Sequence, residues 1–312
     1  MNKVIDTERL ILREFIYDDA PHFFKMNNDP NVIKYTGDKA FDSLEDARIF
    51  LSKYNQYELY GMGRWAVCLK SNQEFLGWCG LKFHPTEKKV EVGFRFYRKF
   101  WNKGYATESA KASIAYGFEK LYLKEIYAHA HTQNLASQNV IEKCGLKKIK
   151  EASYEAMPTI IYQIKNPHYK LKIISTEDTY LVRHPVLRTG RPLSDCAFDG
   201  DHKEDTFHIG LFFMDSLIGV ATFLNNSNDL FPDSKQYQLR GMAILKDFQK
   251  KGLGGLLLSE GERLLNKQCS LIWCNAREIA VNFYNENGYH ISGTPFEIEK
   301  IGLHYVMSKK II

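Results

Sequence analysis

The stretch Gln249-Lys250-Lys251-Gly252-Leu253-Gly254 follows a strand-like segment, 236–244, and opens a helical pattern that runs to about Leu265. A strand that ends in a glycine turn and leads into a helix leaves backbone N–H groups unpaired at the positive end of the helix dipole. Those groups together form a binding site for an anion such as phosphate. Gly252 and Gly254 carry no Cβ atom that would hold a diphosphate away from the amides. Lys250 and Lys251 add positive charge at the rim, so the stretch predicts a phosphate-binding helix entrance.

The first half of the chain contains the same order of elements. Alternation over 90–96 predicts a half-buried strand, which leads into Trp101-Asn102-Lys103-Gly104-Tyr105-Ala106-Thr107 and then into helical spacing over 108–121. This glycine turn predicts a second helix entrance of the same kind.

Two spacings indicate that the chain is duplicated. Gly104 and Gly252 lie 252 − 104 = 148 residues apart. Gly145 and Gly288, which each close a short helical pattern, lie 288 − 145 = 143 residues apart. Both spacings are close to half of the 312 residues, which predicts two similar domains.

We expect these domains to span 1–166 and 167–312. A strand-like run, 159–165, ends at Asn166-Pro167, and a proline interrupts smooth continuation of a strand.

The composition is that of a globular chain with material for a sizeable core, since 44% of its residues are hydrophobic and 25% are charged. The 42 Lys and Arg against 37 Asp and Glu give a net charge of +5, too mild to indicate nucleic acid but suited to a polyanionic small molecule. No apolar run reaches the roughly 18 to 20 residues of a membrane span, and the start lacks the apolar core of a secretory signal. The six cysteines form no Cys-x-x-Cys pair. We therefore predict a cytoplasmic protein with free thiols, no metal site and no membrane or nucleic-acid partner.

The glycine turns narrow the class of ligand. Neither contains Gly-x-x-x-x-Gly-Lys-Ser/Thr or Gly-x-Gly-x-x-Gly, which argues against kinases, GTPases and simple dinucleotide-binding proteins. The pattern Gln249-x-x-Gly252-x-Gly254 instead resembles the acyl-CoA pyrophosphate loop of the GNAT superfamily of acyltransferases.

The first copy is similar to the GNAT branch that acetylates the N-terminal alanine of ribosomal proteins, a branch that also holds relatives of other specificity. The resemblance rests on Trp101 to Glu108, on Asn134-Leu135-Ala136-Ser137 and on Glu142-Lys143-Cys144-Gly145. In that branch Trp commonly takes the Gln or Arg position of the loop. The second copy resembles a less well-defined branch, which implies no substrate.

The resemblance implies an α/β (α+β mixed) fold with two tandem GNAT domains, each a mixed, partly splayed sheet flanked by helices. It also implies acetyl-CoA as cofactor and direct acetyl transfer to a primary amine, either a small molecule or a peptide N-terminus. The implied cofactor-binding residues are Phe94, Arg95, Phe96, Trp101, Asn102, Lys103, Gly104, Tyr105, Ala106, Thr107 and Asn134 in the first copy, and Met242, Ala243, Ile244, Gln249, Lys250, Lys251, Gly252, Leu253, Gly254, Gly255 and Asn275 in the second.

Three residues are candidates for catalysis, each with a structural alternative. Tyr284 takes the family's general-acid position in the second copy; otherwise it is an aromatic core residue. Ser137 takes that part in the first copy, with Asn134 anchoring the cofactor arm; otherwise Ser137 caps a helix. Glu91, which alternation places on a strand near the first turn, is the candidate base; otherwise it is a solvent-facing carboxylate. Trp101 either covers the cofactor or is a buried aromatic at the helix entrance.

Two other functions remain open at this point. One or both copies could bind CoA without catalysis or serve as an interaction surface, because the first copy lacks the Gln or Arg and the second lacks a clear base. An enzyme that uses a longer acyl-CoA is the other alternative. The oligomeric state does not follow from the sequence.

Overall fold

The computed structural model of the protein describes residues 2–154, 156–233, 235–299 and 301–311. The chain divides into two compact units, Met1–Asn166 and Pro167–Ile312. Each unit is a mixed sheet with helices on its faces, which confirms the predicted fold class.

The first domain consists of eight strands and six α-helices within the described residues. Its strands are β1 (Lys3–Asp6), β2 (Leu10–Arg13), β3 (Arg64–Leu69), β4 (Phe75–His84), β5 (Lys89–Phe96), β6 (Glu125–His131), β7 (Lys147–Tyr154) and β8 (Met157–Lys165). Its helices are α1 (Ala20–Asn27), α2 (Pro30–Ile33), α3 (Leu44–Ser52), α4 (Gln56–Tyr60), α5 (Tyr105–Glu119) and α6 (Leu135–Lys143). The sheet order is β1-β2-β3-β4-β5-β6-β8-β7, and β5 and β6 are parallel.

Helix α5 makes the crossover that a parallel pair of neighbouring strands requires. Ala110, Ile114 and Phe118 recur at helical spacing and are buried in the main core against the sheet. Helices α1 and α3 cover the opposite face, where a smaller core includes Phe23 and Leu51. Burial of both faces fixes the position of α5, and with it the position of the helix entrance at Gly104.

The second domain repeats this plan with one strand fewer. Its strands are β9 (Tyr169–Ile174), β10 (Phe207–Phe213), β11 (Ser216–Asn225), β12 (Gln236–Ile244), β13 (Leu271–Arg277), β14 (His290–Ile298) and β15 (Gly302–Lys310). Its helices are α7 (Thr176–Leu187), α8 (Gly254–Leu265) and α9 (Val281–Glu286). The sheet order is β14-β15-β13-β12-β11-β10-β9, β12 and β13 are parallel, and α8 makes the crossover between them.

In each domain the parallel strands separate before the helix entrance. Strands β5 and β6 pair only at Glu91 and Tyr127. Strands β12 and β13 pair from Gln236 to Leu239 and then part. The predicted splay of the sheet is therefore confirmed in both domains.

The two domains part their strands in different ways. The register of β12 against β11 shifts near Gly241, whose φ of +58° is a left-handed conformation that glycine adopts readily. This bulge bends β12 away from β13. Strand β5 keeps an unbroken register against β4 from Lys89 to Phe96, so the first domain parts its strands without a bulge.

Of the helices in the described ranges, none combines the length and the apolar character needed to cross a membrane.

Candidate active sites

The two helix entrances follow the same backbone path. After β5 and after β12 the backbone makes a short 3₁₀ turn, Arg98–Phe100 in the first domain and Lys246–Phe248 in the second. Asn102 and Lys250 then adopt φ of +59° and +60°. The glycines two residues later, Gly104 and Gly252, adopt +80° and +71°. Since a Cβ atom makes this conformation costly, the glycine positions are required by the turn itself.

Neither entrance is closed by its own side chains. Helices α5 and α8 have no side-chain cap at Gly104 and Leu253. By contrast, Ser43 caps α3 and Ser175 caps α7, each by accepting a hydrogen bond from a backbone N–H three residues later. The first N–H groups of α5 and α8 are therefore available to an anion, and these entrances fit a diphosphate.

Trp101 performs the structural role of Gln249. The Nε1–H of Trp101 donates to the carbonyl of Phe96, the last residue of β5, at 2.9 Å. The Nε2–H of Gln249 donates to the carbonyl of Ile244, the last residue of β12, at 2.8 Å. Both bonds join the loop to the strand five residues earlier. The departure of the first loop from the Gln or Arg pattern therefore leaves its geometry intact.

The alternative in which Trp101 is a buried aromatic residue at the helix entrance is wrong. Its side chain is 41% exposed, so burial does not hold it at the helix entrance. The exposed indole stands beside Asn102, Lys103 and Gly104, which are exposed as well. Tyr105, Ala106 and Thr107 form the first turn of α5.

Arg9 is a residue at the first entrance that sequence reasoning missed. Its Nη1 donates to the carbonyl of Lys103 at 3.1 Å, and its guanidinium lies 4.6 Å from the ring centre of Tyr105. Glu108 holds it by an ion pair of 2.7 Å. Arg9 lies almost a hundred residues before the loop, so no local pattern could have assigned it there.

The residues predicted to line the cofactor arm lie where the strands part. Phe94, Arg95 and Phe96 are the last three residues of β5, beyond its single pairing with β6. The guanidinium of Arg95 turns to Asn27 at 2.7 Å and to Asp38, and it lies over the ring of Trp78.

In the second domain the corresponding residues surround the bulge. Met242, Ala243 and Ile244 end β12, and Asn275 is the first residue of β13 past its pairing with β12. Of the loop and helix residues, Gln249, Lys250 and Gly252 are exposed, Leu253 is buried and Lys251, Gly254 and Gly255 are half-buried. Gly254 needs to be small, because a Cβ there would lie 2.9 Å from the ring of Phe283.

Tyr284 lies at the gap between the parted strands. It is buried on α9, and its hydroxyl is 3.9 Å from the sulfur of Met242 on β12 and adjoins Cys274 on β13. Burial, followed by the neighbouring Cys274, raises the pKa of Tyr284 well above its ordinary value. The hydroxyl therefore stays protonated at physiological pH, which is the state that a general acid requires.

The first domain has a different arrangement at this place. Ile141 lies four residues before Gly145, as Tyr284 lies four residues before Gly288. Ile141 therefore occupies the position of Tyr284, and it is buried. The helix cap of α6 is Asn134, whose Oδ1 accepts the backbone N–H of Ser137 at 3.1 Å. The alternative in which Ser137 caps the helix is therefore wrong. Ser137 is half-buried, and its hydroxyl donates to none of the described residues.

Glu91 is part of a partly buried network, with only 13% of its side chain exposed, so the solvent-facing alternative is wrong. Arg64 pairs with its Oε1 at 2.9 Å, and the Nε2 of His84 lies 2.9 Å from its Oε2. The Nδ1 of His129, on the strand across the gap, is 3.6 Å from the same oxygen. Gly93 makes room for the guanidinium, because a Cβ there would lie 2.5 Å from Nη2 of Arg64.

Burial raises the pKa of Glu91, but the charge of Arg64 and the hydrogen bond from His84 overcome that effect and lower it to about 2. The carboxylate stays ionised throughout the physiological range. It is too weak a base to take a proton directly at neutral pH, but it can orient an imidazole that does so. Neither His84 nor His129 was a sequence candidate, because isolated histidines on separate strands show no motif.

His208 on β10 is a core histidine with a satisfied ring rather than a catalytic residue. It is buried, its Nδ1 lies 2.7 Å from the hydroxyl of Thr222, and its Nε2 lies 3.0 Å from that of Thr176.

Taken together, the crossover topology, the parted parallel strands and the uncapped helix after a glycine turn define an acyl-CoA-binding fold, present twice. Comparison with known proteins agrees with this class. The sequence model of the acetyltransferase (GNAT) domain matches residues 9–147, and that of the acetyltransferase (GNAT) family matches residues 171–289.

Known relatives resemble about half of the chain each. An uncharacterized N-acetyltransferase of Bacillus subtilis (strain 168), YitI, is 37% identical over 143 residues, which are 46% of this chain and 96% of that protein. The FsC-acetyl coenzyme A-N(2)-transacetylase of Aspergillus fumigatus is 31% identical over 155 residues, 46% of this chain and 65% of that protein. The crystal structure of an acetyltransferase (GNAT family) from Bacillus anthracis aligns with a TM-score of 0.46 and 28% identity, covering 52% of this chain and 98% of that one.

The chain therefore belongs to the GNAT family of acetyltransferases, with two such domains in tandem. It is an N-acyltransferase of the acetyl-CoA-dependent class.

Proposed function

We propose that the protein transfers acetyl from acetyl-CoA directly to a primary amine, and that each domain binds one CoA. One observation carries the proposal: both domains place an uncapped, glycine-opened helix beside parted parallel strands. The proposed diphosphate contacts are the first N–H groups of α5 and α8, with Lys103 and Arg9 at the first entrance and Lys250 and Lys251 at the second.

The reaction needs an acetyl thioester, which bound acetyl-CoA supplies. The unpaired edges of β5 and β12 can bind the pantetheine arm and direct the thioester into the gap, and a backbone N–H there can donate to the developing oxyanion. A primary alkylamine is mostly protonated at neutral pH, so a group of the protein must also accept a proton from it.

In the second domain we assign the general acid to Tyr284. It is the protonated hydroxyl that lies at the gap, and it can donate a proton to the sulfur that leaves. In the first domain we assign that role to the Ser137 hydroxyl, with the side chain of Asn134 near the cofactor arm. On the base side, Glu91 orients His84 and His129, and an imidazole accepts the proton from the amine.

The acceptor we propose is a small amine or a peptide N-terminus. The first domain's similarity to the branch that acts on ribosomal-protein N-termini supports the peptide. The transacetylase from Aspergillus fumigatus is named for transfer to an N(2) nitrogen, which supports nitrogen as the acceptor atom. The cytoplasm is the compartment we propose, since all six cysteines are buried free thiols, as a reducing compartment keeps them.

A panel of amines tests this proposal. Polyamines, amino acids, aminoglycosides and N-terminal peptides are each incubated with acetyl-CoA and the full chain, and free thiol and acetylated product are both measured. We expect one class to give equal amounts of thiol and N-acetyl product. Thiol release without N-acetyl product in every case would contradict amine transfer, and a faster reaction with longer thioesters would contradict acetyl as the native group.

A CoA-binding first domain without catalysis is the second candidate. It is favoured by Ile141, which puts an aliphatic side chain where the second domain has the Tyr284 hydroxyl. Retention of all turnover after Ser137→Ala and Glu91→Gln, together with its loss after Tyr284→Phe, would support this candidate.

A further inference from the structure

Four arginines collect on the second domain beside its parted strands. Arg240 follows Leu239, the last residue of β12 that pairs with β13, and Arg277 ends β13. Arg188 and Arg191 lie in the loop after α7. We call Arg188, Arg191, Arg240 and Arg277 the arginine cluster.

The ring of Phe198 brings guanidinium groups together. The central carbons of Arg188 and Arg240 lie 4.8 Å and 5.0 Å from its ring centre. Arg183 lies 4.4 Å from the same centre. Aromatic rings hold cations at such distances. Packing on Phe198 therefore fixes two members of the cluster, Arg188 and Arg240.

Arg183 is neutralised, whereas the cluster is not. Arg183 and Asp201 form a fully buried ion pair. Within the described residues, no guanidinium of the cluster lies within 4.0 Å of a carboxylate. The hydrogen bonds that Arg188 and Arg240 donate to described residues go to backbone carbonyls, including those of Asp195 at 3.2 Å and Asp199 at 2.8 Å.

The electrostatics agree with this geometry. Burial, and then the positive charges of Arg191 and Arg277, lower the pKa of Arg188. Burial also lowers the pKa of Arg240. Asp195 opposes the shift of Arg188, and Asp199 and Asp201 oppose that of Arg240, but burial and like charge outweigh them and a bound anion would relieve the cost.

The first domain lacks such a cluster at the same position of its sheet. There, register aligns Arg64, Gly80 and Gly93 across β3, β4 and β5. The corresponding row across β10, β11 and β12 is His208, Thr222 and Arg240. Because the bulge at Gly241 adds one residue to β12, Arg240 lies opposite Thr222 as Gly93 lies opposite Gly80.

The carboxylate beside this row comes from a different place in each domain. Glu91, two residues before Gly93, neutralises Arg64. The residue two positions before Arg240 is the uncharged Gln238. The carboxylate near this row in the second domain is Asp201, which Arg183 already pairs, so Arg240 is a cation without an ion-pair partner of its own in the described residues.

We propose that the acceptor amine of the second domain carries an anionic oxygen group, a carboxylate or a phosphate, which the arginine cluster binds. The planar guanidinium matches both groups by paired hydrogen bonds. This inference rests on the proposed amine transfer, because the cluster lies beside the gap assigned to that reaction. It identifies the acceptor as an amino acid or an amino phosphate.

Binding of acetylated products tests the proposal without requiring turnover. Calorimetry on the full chain saturated with CoA measures N-acetylglycine against N-acetylglycinamide, and N-acetyl-O-phosphoethanolamine against N-acetylethanolamine. None of these compounds has a free amine, so amine protonation does not affect the comparison. We expect at least one anionic compound to bind about tenfold or more tightly than its uncharged partner. The pair that shows this preference distinguishes carboxylate from phosphate.

Two variants assign the preference to the cluster. Arg191 is exposed and its guanidinium donates no hydrogen bond in the described residues, so Arg191→Gln should fold normally. Arg240→Gln removes the guanidinium on the strand residue where β12 leaves β13, and the CoA binding of this variant checks its fold. Both should reduce the preference several-fold, while Arg263→Gln, which removes an exposed ion pair with Glu260 on α8, should keep it.

Equal binding of both anionic compounds and their uncharged partners would overturn the proposal, and so would a preference that survives in Arg191→Gln and Arg240→Gln. Retained preference in the wild-type chain together with no acetyl transfer to any amine would contradict the proposed function and leave the anion site standing.

Discussion

The two helix entrances are nearly identical, but the surroundings of the two gaps differ. Trp101 and Gln249 are unrelated in sequence, yet each donates a hydrogen bond to the end of the preceding strand. Around the gaps, by contrast, the first domain has a paired carboxylate at Glu91 and an aliphatic Ile141, whereas the second has the buried hydroxyl of Tyr284. The comparison indicates that the cofactor-binding part of the fold is kept and that the chemistry of each copy has diverged.

Tyr284→Phe should have the largest effect on this comparison. Loss of a general acid typically lowers turnover by about 10² to 10⁴-fold, and CoA affinity should change little because the ring remains. Steady-state turnover and CoA calorimetry measure the two effects. Tyr289→Phe is the matched control, since Tyr289 is also buried and its hydroxyl adjoins Glu262 rather than Met242 at the gap. If both variants behave alike, Tyr284 is a core residue and the proposed acid is wrong.

Glu91→Gln should mainly affect the first domain. The folded carboxyl has a pKa of about 2 against an ordinary 4.5, so its ionised form stabilises the fold above pH 4.5. This contribution, at most about 3 kcal/mol, disappears as the pH falls from 4.5 towards 2. The free energies of unfolding of wild type and Glu91→Gln, measured in urea, should therefore differ most near pH 7 and become equal in acid.

The exposed Glu297→Gln provides the control for that titration. Its free energy of unfolding should follow the wild type at every pH. If the free energies of unfolding of Glu91→Gln and wild type differed by the same amount down to pH 3, the carboxylate charge would not be the cause of the stabilisation.

Because Trp101 and Gln249 make equivalent hydrogen bonds, removing either one should weaken CoA binding by a similar factor. Trp101→Phe and Gln249→Leu each remove one hydrogen bond, worth about 1 kcal/mol, and should weaken CoA binding in their own domain about fivefold. Trp101→Gln should retain affinity. Calorimetry measures the dissociation constants for CoA. If Trp101→Gln bound CoA as weakly as Trp101→Phe, the indole ring and not its N–H would be what supports binding.

The smallest expected effect separates Asn134 from Ser137. Asn134→Ala removes the cap of α6 and should cost about 1 kcal/mol of stability, whereas Ser137→Ala should cost less than about 0.5 kcal/mol. Thermal unfolding measures both. A loss of first-domain turnover in Ser137→Ala without a change of stability would support its hydroxyl as the acid, and a large loss of stability would refute the assigned cap.

Much of the central fold could be predicted from the sequence because it depends on local patterns. Alternation identified β5, a strand-like run before the second glycine turn identified β12, and the glycine turns marked the starts of α5 and α8. The edge strand β14, its neighbour β15 and the helix α7 carried weaker signals. Helix α7 contains Pro185 and mixes polar with apolar residues, so its pattern is poor, although the Ser175 to Asp178 capping box marks its start.

The side-chain networks could not be predicted, because they join residues that are distant in sequence. His84, Glu91 and His129 lie on three strands, and only the register of the sheet brings them together. Arg9 reaches the first entrance from β1–β2, and the arginine cluster draws on a loop and two strands. The cap at Asn134 was also misjudged, since the sequence Asn-x-x-Ser offers two capping residues and only φ and ψ decide between them.

The number of CoA sites on the intact chain tests the central claim most directly. Titration calorimetry with acetyl-CoA should give two sites per chain, and Gly104→Val and Gly252→Val should each remove one, because a side chain disfavours the left-handed turn and crowds the amides. A single site in the wild type, or two sites that persist in either variant, would contradict a diphosphate bound at both glycine-opened helices.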